Sequence, residues 1–144
     1  MTSERLGQAF DIAVQELEAV GGDIRLLGET TRTLLQVHAA QGVIDNGGLQ
    51  YFFESDFPDY PEYGEFAAAF RRIGANEEAL LLEEAVELLG LLNPHLDVHA
   101  RQKALPVLLR DATGRFGAID DSLCGNMHVW ELLDQYISGS GPRS

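Results

Sequence analysis

Apolar side chains recur along this chain with a helical period from the start. Leu6, Phe10, Val14, Leu17 and Val20 follow one another at three- and four-residue steps before Gly21-Gly22, so residues 3–20 predict an amphipathic helix with a stop. Residues 29–43 repeat the pattern through Leu34, Leu35, Val37 and His38, with Thr30 or Thr31 as N-cap. The chain then meets Asn46-Gly47-Gly48 and runs directly into Leu49-Gln50-Tyr51-Phe52-Phe53-Glu54. Asn and paired glycines supply the positive φ values that end one helix and redirect the next. Three adjacent aromatics cannot all remain in water on a small domain. The segment is therefore a break followed by a core element, with at least one glycine at positive φ. At least two of Tyr51, Phe52 and Phe53 are expected to be buried near Phe66, Phe70 or Trp130. Propensity alone allows a strand here, but no second strand offers a partner, so the block is read as a short helix.

Beyond it, two prolines and two acids make residues 56–61 a loop. Phe66, Phe70 and Ile73 place a helix over residues 63–73, closed by Gly74. Asn76 then caps a helix over residues 77–92, with Glu77 and Glu78 in the first turn, where the dipole favours negative charge. Asn93-Pro94 opens a further helical segment through His95, His99 and Arg101 to Leu109, which Pro106 should kink or split. Gly114 and Gly117 bracket a loop, and Asp120-Asp121-Ser122 can cap a turn. Val129, Trp130, Leu132, Leu133, Tyr136 and Ile137 form a closing amphipathic helix. No fixed-period repeat is visible. The expected fold is all-α, a single compact domain of about six or seven helices over residues 1–137, with 138–144 a flexible C-terminal tail.

Composition adds charge to this picture. The 144 residues, 45% of them apolar, suffice for one contiguous core. Twenty-three acids against ten Lys and Arg give a formal charge of -13, which opposes direct binding to nucleic acid or to an anionic membrane and favours a basic partner. The single cysteine, Cys124, excludes an internal disulfide. The first residues lack a signal-peptide pattern, and no apolar run reaches the roughly 20 residues of a membrane span. Cytoplasmic localisation follows as the expectation.

Most candidate chemistry has a plainer structural reading. His95 and His99, four apart, can share a helical face as zinc-binding HxxxH pairs do, but Asp97 lies on another face and no third ligand is evident. No metal and no cofactor are expected. His38 can contact the break at Asn46, and His128 adjoins Trp130. Neither has a triad partner, so both are read as buried or half-buried, hydrogen-bonded histidines. Cys124 has no basic neighbour in sequence and is read as incidental. Gly47-Gly48 lacks the Lys-Ser/Thr of a phosphate loop. Arg71 and Arg72 are expected to pair with Glu54, Glu65 or Glu78.

Several segments together carry a resemblance: Asn46-Gly47-Gly48-Leu49, Tyr51-Phe52-Phe53-Glu54-Ser55, Phe70-Arg71-Arg72-Ile73-Gly74-Ala75, Asn93-Pro94-His95 and Val129-Trp130-Glu131-Leu132-Leu133. In this order they resemble a bacterial domain-of-unknown-function family that includes a DNA-mimic protein. That resemblance implies a compact, largely helical, cytoplasmic protein without established enzymatic activity. It also implies that one branch of the family imitates duplex DNA with surface carboxylates. Leu49 departs from the usual Phe, and Tyr51 from the Gln frequent in the branch with the mimic. Asn46, Gly47, Gly48, Tyr51, Phe52 and Phe53 form the structural motif.

The acidic surface is the functional candidate. Glu54, Asp56, Asp59, Glu62, Glu65, Glu77, Glu78, Glu83, Glu84 and Glu87 stand against only Arg71 and Arg72, a local charge of -8. On the helix from Glu77, residues four and seven apart rise about 6 and 10.5 Å, the scale of phosphate spacing along a duplex. The two acidic stretches are expected to share one face. The reading is of a noncatalytic, acidic protein-binding module, in its sharper form a DNA mimic occupying the nucleic-acid site of a basic DNA-binding protein. Two alternatives stand beside it. One is a merely solvated acidic face; the other is a small hydrolase or metal-dependent enzyme using His95, His99 and nearby carboxylates.

Overall fold

Five consecutive residues, Thr33 to Val37, are all buried, and a helix covered on every side must lie at the centre of its fold. In the computed structural model, which describes residues 4–111 and 114–139, this central helix is α2 (Glu29–Glu54). Around it pack α1 (Glu4–Ala19), α3 (Tyr63–Arg72), α5 (Val98–Arg110), α6 (Arg115–Leu123) and α7 (Met127–Ser138). The remaining helix, α4 (Asn76–Leu88), lies against α3 and α6. Short 3-10 turns at Ile24–Leu26 and Pro94–Leu96 complete the described elements, so the protein is a single all-α domain. No described helix is long and apolar enough to cross a membrane.

The expected break inside α2 is a kink within one helical run. Gly47 sits at φ -154° and ψ 18°, and Gly48 at φ 72° and ψ -168°, the second of which an L side chain rarely adopts. Past the kink the peptide N–H of Leu49 donates to Asp120 Oδ1 of α6 at 2.7 Å. A Cβ on Gly48 would lie 2.8 Å from that same oxygen. Gly48 thus bends the chain and makes room for the carboxylate that satisfies the bend. Gly48→Ala is expected to destabilise the domain by about 2–3 kcal/mol, from left-handed backbone strain plus a displaced acceptor. A urea titration at unchanged m-value measures it, and a loss near zero would show that the bend tolerates a side chain.

The kink delivers the aromatic block to the core. Phe52 and Phe53 are fully buried whereas Tyr51 is half exposed. Phe52 lies 5.2 Å from Phe53, 5.4 Å from Tyr63 and 5.6 Å from Phe66, in tilted or edge-on pairs. Burial pushes the Tyr63 hydroxyl up to a pKa of about 12.

Elsewhere the boundaries differ from the sequence-based expectation for local reasons. Gly28, not Thr30 or Thr31, holds the α2 cap position, which leaves Glu29 in the first turn, where the dipole suits a carboxylate. Ala75 rather than Asn76 caps α4. That helix ends at Leu88, not at residue 92, because Gly90 turns the chain at φ +66°. Asn93-Pro94 opens only the 3-10 turn, and α5 has its own cap in Asp97, which accepts from Ala100 N at 3.0 Å. Pro106 does not split α5. Its missing N–H deprives only the Gln102 carbonyl, and both residues lie on the exposed side, where water can replace the bond.

Residues 114–122 are not a loop with a capped turn. Phe116, Ile119 and Leu123 form a buried stripe that makes this segment α6, with Gly117 and Asp120-Asp121-Ser122 inside it. The expected tail boundary also shifts, since α7 continues to Ser138 and Gly139 closes it in the left-handed conformation. The rest of the tail, and Ser3 of the first helix, lie outside the described residues.

Candidate functional site

Helical periodicity sorts the acids of α4 into two classes. Glu78, Leu82, Ala85 and Leu89 recur at steps of four, three and four and are all buried, so Glu78 belongs to the inward stripe and is corrected from a surface acid to a buried one. It accepts from Asn126 Nδ2 at 3.1 Å and faces His128 Nδ1 at 3.3 Å. The opposite stripe carries Glu77, Leu80, Leu81, Glu84 and Glu87. With Glu83 and Arg115 of α6 they line an open groove of about 590 Å³.

The groove is acidic, and part of that charge is already engaged. Arg115 grips Glu84 through Nε at 2.5 Å and Nη2 at 2.9 Å. Arg71 of α3 grips Glu83 at 2.8 and 2.6 Å. Each guanidinium holds its carboxyl below the usual carboxylate range, chiefly through these hydrogen bonds. Four glutamates and one arginine leave the lining with a charge of -3. Glu77 and Glu87 are exposed at its two ends, and Leu80, 60% exposed, lies between them.

The acids of residues 54–65 do not line this groove. Their structural roles explain them instead. Glu62 and Glu65 form a capping box at the start of α3, with Glu62 N donating to Glu65 Oε2 at 3.3 Å. Asp56 is the counter-ion of Arg101, whose Nη2 lies 2.9 Å from Oδ1. Glu54 accepts from Gln50 Nε2 at 3.2 Å on the α2 surface. Asp59 is exposed, in a loop where it and Tyr60 both take positive φ. The ten acids thus divide, and four of them, Glu77, Glu83, Glu84 and Glu87, come together on one surface feature.

Two strongly bonded groups were not singled out from sequence. Arg101 is 1% exposed, and besides Asp56 it donates to the carbonyls of Phe53, Pro94 and Ser55. Asp45 accepts from Gln41 Nε2 at 2.7 Å, Gly125 N at 2.8 Å and Trp130 Nε1 at 2.7 Å. It ties the helix just before the kink to the α6–α7 connection. An acid immediately ahead of Asn-Gly-Gly, with one tryptophan in the chain, was the available signal for Asp45. For the groove, the signal was an excess of leucines from residue 80 to residue 88. Leu80, Leu81, Leu82 and Leu88 cannot all face one core.

The histidines and Arg72 also take positions other than those expected. His38 does not meet Asn46; it stacks on Phe10 at 3.7 Å and meets Trp130 edge-on at 5.2 Å. Burial holds its pKa below the ordinary value. The His128 side chain is 61% exposed rather than buried. His95 and His99 fall in different elements, the 3-10 turn and the first turn of α5, separated by the Asp97 cap. They therefore lack the shared helical face that the zinc reading requires. Among the described residues no three His, Cys, Asp or Glu side chains converge as a metal-holding group. Among the described residues Arg72 binds no carboxylate but donates to Thr33 Oγ1 at 2.6 Å and Gln36 Oε1 at 2.9 Å. The Cys124 thiol is pushed up by desolvation and by Asp120, Asp45 and Asp121 nearby, which disfavours the nucleophilic thiolate.

No curated protein and no solved structure matches the chain. The family described as DMP19-like protein matches residues 25–140, most of the chain and the whole of the fold from the first 3-10 turn onward. The protein belongs to the DMP19-like family.

Proposed function

We propose that this protein is a noncatalytic, acidic protein-binding module whose α4 surface occupies the nucleic-acid site of a basic DNA-binding protein. The observation that carries this reading is the alignment of Glu77, Glu84 and Glu87 along the exposed side of α4, within a chain of charge -13. From Glu77 to Glu87, the two exposed carboxylates of this surface that neither Arg71 nor Arg115 grips, the helix rises about 15 Å, which lets two carboxylates meet cations that otherwise contact phosphates. Long-range attraction would steer the basic partner in, and carboxylates would accept hydrogen bonds from its Arg and Lys. The DNA-mimic member of the family resembled by the sequence motifs supports the same reading. Of the alternative enzyme built on His95, His99 and nearby carboxylates, the zinc-binding form is disfavoured, because the two histidines lie in different elements, the 3-10 turn and α5.

The test is capture of cellular proteins on the immobilised chain at about 50 mM salt, followed by elution with duplex DNA. Captured DNA-binding proteins are expected to be displaced by the duplex and to be lost steeply by about 200 mM salt. Glu77→Lys, Glu84→Lys and Glu87→Lys combined should abolish capture while the circular dichroism spectrum stays helical. Capture that survives this triple reversal would remove α4 from the reading, and capture indifferent to duplex would remove the mimicry.

A further inference from the structure

A surface that copied only the charges of a duplex would not need an exposed leucine, yet the groove on α4 has Leu80 at its centre. Leu80 is 60% exposed, and Leu81 beside it is partly buried, packed on the core on one side and lining the groove on the other; both lie between the carboxylates of Glu77 and Glu84. We infer that the groove takes an amphipathic basic helix of a partner protein, one that presents an apolar pair to Leu80 and Leu81 with Lys or Arg on either side. This rests on the protein-binding reading above and names the element that the surface recognises.

Three observations converge on this occupant. First, charge: four glutamates less Arg115 and the Arg71 that grips Glu83 leave this surface at -2, so its ligand is cationic. Second, spacing: the acid–apolar–apolar–acid order over residues 77, 80, 81 and 84 is that of one helix face, and a partner helix offers the complementary order at i, i+3, i+4 and i+7. The span of about 10.5 Å between the acids equals the i to i+7 rise of a helix. Same-face residues of an extended chain fall near 7 and 14 Å instead. Third, the protein already shows the chemistry: Arg115 reaches over from α6 and grips Glu84 with two hydrogen bonds. Arg115 uses one acceptor site on each Glu84 oxygen, and the remaining lone pairs of that carboxylate are left for a further cation at the edge of the apolar floor.

The experiment uses the full chain and two synthetic peptides of about 20 residues, long enough to form helix. One carries Lys at i and i+7 with Leu at i+3 and i+4, repeated. The other has the same composition scrambled so that no face is apolar. Fluorescence anisotropy at low salt is expected to give about tenfold tighter binding for the amphipathic peptide, the value of burying most of one leucine. Leu80→Glu should weaken that peptide about tenfold although it adds a negative charge, while leaving the scrambled peptide bound as well or better. Leu80→Ala, which introduces no charge, should weaken the amphipathic peptide to a smaller extent. Because Leu80 is mostly exposed, both variants should keep the wild-type melting curve.

Equal affinity for the two peptides, or tighter binding of both by Leu80→Glu, would overturn the helical occupant and leave carboxylate recognition of a basic protein standing. If neither peptide binds the wild-type chain at low salt, both readings fall together.

Discussion

Arg101→Met is expected to destabilise the domain by about 3–5 kcal/mol, because three backbone carbonyls, that of Phe53 among them in a buried contact, lose one charged donor together. The guanidinium is 1% exposed and donates to the carbonyls of Phe53 and Ser55, at the C-terminal end of α2, and of Pro94 in the 3-10 turn before α5. Those α2 carbonyls lie where a helix leaves acceptors unsatisfied. Arg101 therefore serves as a C-cap donated from another helix, and it joins the aromatic end of α2 to the start of α5. Methionine fills comparable space but donates nothing, so buried carbonyls lose their partners.

For a chain of this length the loss corresponds to a fall in melting temperature of roughly 6–20 °C. Arg101→Lys should recover little, because an ammonium cannot reproduce the planar fork that serves several carbonyls at once. Asp56→Asn should cost much less, since the Asp56 side chain is 46% exposed and the backbone acceptors remain. Thermal and urea unfolding of the three variants measures this order. If Arg101→Met melts within a degree or two of wild type, the carbonyl cap is unimportant to stability.

Asp45→Ala should cost about 2–4 kcal/mol, because one carboxylate accepts three hydrogen bonds from three parts of the chain. The Trp130 indole is 7% exposed, so its N–H loses its acceptor in a place water reaches poorly. Gly125 is exposed and can turn to solvent, which keeps the loss below the sum of three charged hydrogen bonds. Trp130 is the only tryptophan, so its emission reads this contact directly. A red shift accompanying a lower urea midpoint is expected for Asp45→Ala. Asp45→Asn should fall between the two, since the amide keeps one acceptor oxygen and turns an NH2 toward donors. An unchanged emission spectrum together with an unchanged midpoint would show that Asp45 is not the link between α2 and the α6–α7 connection.

Both effects arise from side chains whose sequence neighbours gave little hint of their partners. Asp45 and Trp130 are 85 residues apart, and Arg101 and Phe53 are 48 apart. Local patterning cannot report such pairs, because the contact exists only after the helices pack. The same reason accounts for Glu83 and Glu84. In sequence they are members of one acidic run, but packing supplies them with Arg71 and Arg115. A formal charge of -8 across residues 54–87 thus overstates what a partner meets on α4.

What the sequence determined by itself was the helical class, the kink and the aromatic core. These follow from short-range physics: a 3.6-residue apolar period, the conformational freedom of Gly48, and the transfer of Phe52 and Phe53 out of water. The inward position of Glu78 was legible too, from its spacing to Leu82 and Ala85. Only the tertiary structure decided which carboxylates stay available, which arginines hold the others, and that the exposed Leu80 lies among them. Those outcomes depend on where α3 and α6 fall against α4. Ion pairing and exposure are properties of neighbours in space, which the periodicity of a single helix does not contain.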